Sequence, residues 1–310
     1  MFFKKINIDL SNLLDKESFA VHRNDVQKLL ISNGKLQGQL NFLMNKDKIL
    51  LNIQQSEFQI FSQWGDDGII DFLCRYLDIP DRNKIFVEFG VESYVECNTR
   101  FLLINNNWEG LVIDGSSTNI QKLHKEDIVW KFNLTAVTEF ITKENINELL
   151  RKNNIEGEIG LLHIDIDGND YWIWKEINVI NPIIVIIEYN SVFGNTNSWT
   201  IPYHEDFDRT KAHFSNLYYG VSLKSLIDLG GEKGYSFIGC NSNGNNAYFI
   251  RNDKLKQIKV RTLEDGYVLS KFSESKDQNG KLSFLKGGDK LLALKELDIY
   301  DTSKNSLEKI

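Results

Sequence analysis

Three aspartates fall within six residues in the segment HIDIDGND, at Asp165, Asp167 and Asp170. Carboxylates this close repel one another unless solvent, hydrogen bonds or a cation offsets the charge, so the segment reads as a functional site. Its spacing imitates a calcium loop, but Asp170 stands where such a loop turns on glycine, and a strand-like run precedes it where a helix should. A second acidic end follows in IIEYN, with Glu188 and Asn190 on one side of an extended chain and Tyr189 on the other. If the two runs are neighbouring parallel strands, Asp165, Glu188 and Asn190 converge into an oxygen set suited to magnesium, manganese or calcium, and a divalent ion there would acidify a substrate hydroxyl. Hydrogen bonds from Glu188 and Asn190 to loop backbone are the plain alternative.

Two further positions point to a ligand. FVEFGVESYVECNT ends an apolar run on Glu88 and Gly90 and leads into a helical pattern, which lets backbone and free N–H groups approach a bound molecule. Asp114 ends the next apolar run, where an acidic residue grips ribose hydroxyls in nucleotide-binding units. An ordinary turn glycine and a helix cap would explain the same residues. Of the histidines, His204 in TIPYHEDF is the candidate general base; His163 lies inside a strand, and His22, His124 and His213 read as surface positions. Trp199, Tyr203, Tyr218 and Tyr219 would make a wall for a sugar or part of the core. The signatures of hydrolases and kinases are missing, and Glu92 and Tyr94 interrupt the glycine fingerprint of nicotinamide enzymes.

These residues need a scaffold that brings strand ends together. KIFVEFG, WEGLVIDG, DIVWKFNLTAV, EIGLLHIDIDG and NPIIVIIEYN are short β-rich runs, separated by helical patterns in CNTRFLLINN, STNIQKLHK, TKENINELLRKN and NDYWIWKEINVI. Strict alternation argues for a parallel sheet covered on both faces. YGVSLKSLIDLGGEKG then reads as a helix, and YSFIGCN and NAYFIR flank a turn at SNGN, so the sheet should finish with an antiparallel hairpin. The expected fold class is α/β, a Rossmann-like seven-stranded, mostly parallel sheet of the class I methyltransferase layout, with helices on both faces. Residues 1–55 are expected to form a helical accessory segment of one or two amphipathic helices, 56–252 the core, and 253–310 a lightly packed appendage.

The 310 residues carry a formal charge of −7, which gives no field to collect nucleic acid or an anionic membrane surface. Cys74, Cys97 and Cys240 are widely spaced and odd in number, so neither a disulfide framework nor a zinc pair can be drawn. With early charges, no signal-peptide pattern and no apolar run long enough for a membrane span, a cytoplasmic location is expected.

SQWGDDGI, FVEFGVESYVECNTRFLL, WEGLVIDG, LLHIDIDGNDYWIW, IIEYNSVFG, YYGVSLKSL and GCNSNGNNAYFIR together resemble FkbM-type class I methyltransferases of the branch associated with bacterial capsule and surface polysaccharide, over about residues 55–290. The resemblance implies S-adenosylmethionine as cofactor and methyl transfer to an oxygen of a sugar or sugar-linked group. It implies that Gln63, Asp66, Glu88, Gly90, Asn98, Thr99 and Asp114 line the cofactor site, with Asp165 near the methyl group. Ser93 and Tyr94 replace the Asp-Gly pair of relatives, so the loop over the methionine moiety should differ. Three groups compete for deprotonating the acceptor: Asp165 itself, a metal on Asp165, Glu188 and Asn190, or His204. The expected partner is a small-molecule or saccharide acceptor, with a homo-oligomer allowed. A binding module without turnover, in a polysaccharide assembly system, is the competing function.

Overall fold

The structure, a computed structural model, describes residues 16–310, with side chains from residue 25 onward; the first fifteen residues and the His22 ring lie outside the described part. Ten strands are present among the described residues: β1 Ile85–Phe89, β2 Glu109–Asp114, β3 Leu134–Thr138, β4 Gly157–Ile164, β5 Ile180–Glu188, β6 Trp199–Thr200, β7 Tyr235–Cys240, β8 Asn246–Arg251, β9 Asp298–Asp301 and β10 Ser306–Lys309. Seven of them form the main sheet in the order β3-β2-β1-β4-β5-β8-β7. β1 to β5 are parallel, and β8 runs antiparallel to both β5 and β7. The expected hairpin therefore exists and enters second strand first, with β8 against β5 and β7 on the edge. This is the mixed α/β, Rossmann-like fold that the alternation of elements predicts.

The strands are apolar on both sides because both faces are covered. Phe86, Val112, Leu161, Ile184 and Ile186 pack on one face with the helices Asp66–Leu77 and Arg100–Asn106. Their alternate neighbours Val87, Ile113, Leu162, Val185 and Ile187 pack on the other with Ile146–Lys152, Asp170–Glu176 and Leu223–Glu232. Period-two alternation thus feeds two cores from each strand and leaves only the strand ends for polar chemistry.

One sequence expectation changes. The run 127–137 is not one strand: Ile128–Lys131 forms a helical turn and β3 begins only at Leu134. Asp127 starts that turn by accepting from the Lys131 N–H at 3.0 Å, its side chain holds the Lys131 ammonium at 2.7 Å, and Trp130 points outward. The amino-terminal pattern, read as one or two helices, is one helix, Lys16–Met44, followed by the short Lys46–Leu51. Residues beyond 252 return to the core. Tyr267 donates its hydroxyl to the Ser191 carbonyl at 2.8 Å, the Ser270 N–H donates to Ser191 Oγ at 3.0 Å, and β9 joins β6 and β10 in a second, three-stranded sheet.

Candidate functional site

Open parallel sheets bind ligands outside the carboxyl ends of their strands, where the strand order reverses. Here the reversal lies between β1 and β4, and a cavity of about 550 Å³ opens there. Gly90, Asp114, Asp165 and Glu188 reach it from the ends of β1, β2, β4 and β5.

Gly90 is required by geometry. Its φ is +73°, and a Cβ there would stand 1.6 Å from the Asp165 carbonyl oxygen. The backbones of β1 and β4 thus meet with no room for a side chain, which shapes the floor of the cavity. After Gly90 the chain turns through left-handed Glu92 and Tyr94. The Glu92 N–H donates to Asp114 Oδ2 at 2.7 Å and the Ser116 N–H to Oδ1 at 2.8 Å, so Asp114 clasps the loops after β1 and β2 while lining the wall. Tyr94 is fully buried, with its hydroxyl on Thr99 Oγ1 at 2.9 Å, and it fills the space beneath the loop without entering the cavity wall.

Glu88 faces His163, its register partner on β4. Oε1 accepts from the His163 Nδ1 side at 2.9 Å and from the Asn98 N–H at 3.0 Å; Oε2 accepts from the Thr99 N–H at 3.1 Å and from the Thr99 hydroxyl. Burial alone would raise the Glu88 pKa, but the bonds from His163, Thr99 and Asn98 outweigh it and hold the carboxyl below its usual range. Burial likewise works against charge on His163, and Glu88 overcomes it and raises the imidazole. Thr99 thus serves the cavity through Glu88 and does not line it.

Asp66 and Gln63 lie on the wall. The Asp66 carboxylate accepts from the side-chain amides of Asn241 and Asn246, each at 3.1 Å, and from the Tyr248 hydroxyl, fastening the helix Asp66–Leu77 to the β7–β8 hairpin. Gln63 accepts from the Trp64 indole at 3.0 Å, and Trp64 meets Phe272 edge-on at 5.4 Å, on the rim supplied by the carboxyl-terminal segment.

The acidic end is built from Asp165, Asp167 and Glu188, whose nearest oxygens all lie within 4.8 Å of one another. Glu188 is buried, and its Oε2 has no hydrogen-bond partner. Burial first, and repulsion from Asp167 next, push Asp165 up to about 7. Burial and repulsion from Asp165 raise Glu188 well above the usual carboxyl range. Asp170 does not join them, because it accepts from the Ile166 and Gly168 N–H groups, both at 2.9 Å, and closes the loop after β4. Asn190 lines the cavity, but its amide donates to the Leu217 and Tyr219 carbonyls at 2.9 Å and accepts from Val192 at 3.0 Å. Its bonding is thus to loop backbone, the plain alternative raised above, and Asp167 stands third in the oxygen cluster.

His204 lies off the wall; its carbonyl accepts from Asn169 at 2.8 Å, and its Nδ1 accepts from the Asp206 N–H at 3.3 Å. Of the four loop aromatics only Tyr219 lines the cavity; Tyr203 bonds Glu144, Tyr218 bonds the Asp298 carbonyl, and Trp199 belongs to β6. Arg209, which carries no sequence signal, pairs with Asp167 and lies 3.7 Å over the Tyr219 ring.

No family model and no curated protein matches the chain. Solved structures do. A S-adenosylmethionine-dependent methyltransferase from Clostridium acetobutylicum aligns at TM-score 0.39 and 10% identity, over 71% of this chain and 98% of that one. The amino-terminal domain of EvdMO1, solved with S-adenosylhomocysteine bound, aligns at 0.38 and 10%, over 74% and 94%. The CurJ carbon methyltransferase aligns at 0.41 and 8%, over 68% and 60%. Likeness at this level assigns neither cofactor nor substrate to this chain.

Proposed function

We propose that this chain is a S-adenosylmethionine-dependent O-methyltransferase acting on a sugar or sugar-linked group, in the branch tied to capsule and surface polysaccharide. The observation that carries the reading is the charge of the cavity at the switch point. Ten acidic side chains, eight of them besides the raised pair Asp165 and Glu188, line it against two permanent cations, Arg209 and Lys290. Such a wall suits a cationic sulfonium and opposes the pyrophosphate of a dinucleotide.

Gly90 lets the ligand approach the backbone, and Asp114 stands where two ribose hydroxyls would be gripped. Gln63, Asp66, Glu88 and Asn98 also line the cavity and are assigned to the cofactor in this reading. The cofactor, when bound, supplies an electrophilic methyl group. The chain's own part is to hold an acceptor hydroxyl in line and take its proton. Asp165, pushed up to about 7, is suited to that exchange near neutral pH and is our candidate base. Tyr219, Phe207 and Phe272 offer apolar faces to a sugar ring. Tyr94 packs beneath its loop and off the cavity wall, which supports turnover over a binding-only module.

Calorimetric titration with S-adenosylmethionine and S-adenosylhomocysteine tests the reading. Micromolar binding is expected, and Asp114→Ala should weaken it by about 10- to 100-fold, since hydrogen bonds to a charged group are worth about 1.5–3 kcal/mol. Absence of binding to both compounds would sink the proposal.

The orphaned Glu188 Oε2 beside Asp165 and Asp167 is an oxygen set that fits magnesium or manganese. A divalent ion held by these three would supply positive charge beside the acceptor oxygen. Titration with Mn²⁺ should show binding that Glu188→Gln weakens by at least about tenfold, because the hard ion loses one of three charged ligands. The metal-free protein adds a pH signature. Both carboxyls have raised folded-state values, so their contribution to stability is fullest below the ordinary carboxyl range and declines as pH rises toward about 7. Glu188→Gln, lacking that charge, should melt about 2–4 °C above the parent at pH 8. Equal Mn²⁺ affinity and equal melting in the two proteins would remove the metal from the proposal.

A further inference from the structure

The helix Lys16–Met44 carries two opposite stripes. Facing the domain are Gly34 and Gly38, both buried, and Asn41, whose amide donates to the Ser56 carbonyl at 3.0 Å. A Cβ on Gly38 would stand 2.2 Å from Asp71 Oδ2, and one on Gly34 3.0 Å from the Ile60 side chain, so the helix lies close on its neighbours by virtue of those glycines.

The outer stripe runs Val26, Leu29, Asn33, Leu36, Leu40 and Leu43, alternating three and four residues apart. All five apolar members are exposed, Leu29 at 70% and Leu43 at 80%, and Leu30 and Met44 widen the strip. At 100° per residue this stripe centres over a third of a turn away from the glycine face, and among the described residues no part of the core covers it.

We propose that this stripe is the seam of a parallel two-stranded coiled coil, and that its occupant is a second copy of the same chain. Val26, Asn33 and Leu40 take the a positions and Leu29, Leu36 and Leu43 the d positions. A single asparagine among apolar a residues favours two strands in register, because each amide can meet its counterpart across the axis and has no partner in a shifted or antiparallel pairing. The flanking positions agree. In a parallel pair Asp25 faces Leu30, Ser32 faces Gln37, and Gln39 faces Met44, so no like charges oppose one another. The area is sufficient as well: seven apolar side chains exposed to this extent present on the order of 700 Å² per copy, and closing two copies would bury on the order of 1,400 Å², within the range of stable interfaces. A homotypic seam also places the two cavities on separate bodies, each complete without the other.

Light scattering coupled to gel filtration of the full chain should give twice the mass of one chain. Leu29→Glu combined with Leu36→Glu should give one mass unit while keeping the parent's circular dichroism, since neither side chain touches the domain core. Asn33→Cys should form a disulfide between copies under mild oxidation, because a positions face each other in a parallel seam. A parent that stays monomeric at about 100 µM, where an interface of this size should assemble, overturns the proposal. So does a double variant that remains dimeric, and a dimeric Asn33→Cys protein that fails to cross-link overturns the parallel register.

Discussion

Gly90→Ala is expected to abolish binding of S-adenosylhomocysteine and to lower Tm by about 5 °C, the size of a loss of about 3 kcal/mol in a chain of this length. Two costs add. The left-handed φ of +73° strains any residue with a Cβ, and the methyl group would sit 1.6 Å from the Asp165 carbonyl oxygen, which can yield only by moving β4 away from β1. That movement would open the floor of the cavity and carry Asp165 with it. Differential scanning calorimetry and titration on the same preparation separate the two effects. A variant that melts and binds like the parent would mean that the close approach of the two strand ends is absent in solution.

Glu88→Ala is expected to cost about 3–5 kcal/mol, because it removes one partner of a buried ion pair and leaves His163 and the Asn98 and Thr99 N–H groups without an acceptor. Glu88→Gln should cost less, keeping an oxygen in place, and it isolates the charge. The sign with pH follows from the two directions. Glu88 lies below its ordinary 4.5, so its contribution is present above that value and disappears as pH falls through the folded-state pKa. His163 lies above its ordinary 6.5, so its contribution is complete below that value and disappears as pH rises through the folded-state pKa. The stability gap between the parent and Glu88→Gln should therefore be widest between about pH 4.5 and 6.5 and shrink on both sides. A gap independent of pH would show that the two groups hydrogen-bond as neutral partners.

Much of this arrangement was legible in the residues. The alternation of apolar β-rich runs with helical patterns is enforced by the crossover each parallel connection needs, so the sheet and its antiparallel end could be read directly. The wall positions Gly90, Asp114, Asp165 and Glu188 were legible for the same reason, since they stand at or near the carboxyl ends of their runs. What failed to show was mostly long-range. Ile128, Val129 and Trp130 look like strand residues, and there the miss is local, since the Lys131 N–H closes a helical turn on the Asp127 carbonyl. Gly34 and Gly38 look like helix breaks until Asp71 and Ile60 are seen pressing on them. Arg209 reaches Asp167 across 42 positions of chain through a loop with no periodic pattern. The pairing of Glu88 with His163 had a signal, because strand register places them side by side, yet each alone reads as a ligand or as a bystander. Asn190 shows the opposite limit: an amide at a strand end has the composition of a metal ligand, and here it lines the cavity while making three bonds to loop backbone.

The placement of β8 also bears on how the chain survives its own synthesis. Ile183–Ile187 of β5 are all isoleucine or valine, their side away from β4 is covered by β8, and β8 arrives about sixty residues after β5 is complete. At about 5–20 residues per second, a ribosome leaves that edge unpaired for about 3–12 s. An exposed edge carrying five consecutive β-branched apolar residues is a template for pairing with another chain. Chains interrupted between Asn190 and Asn246 should therefore collect as aggregates or on chaperones, whereas those extended past Arg251 have closed the edge with their own backbone.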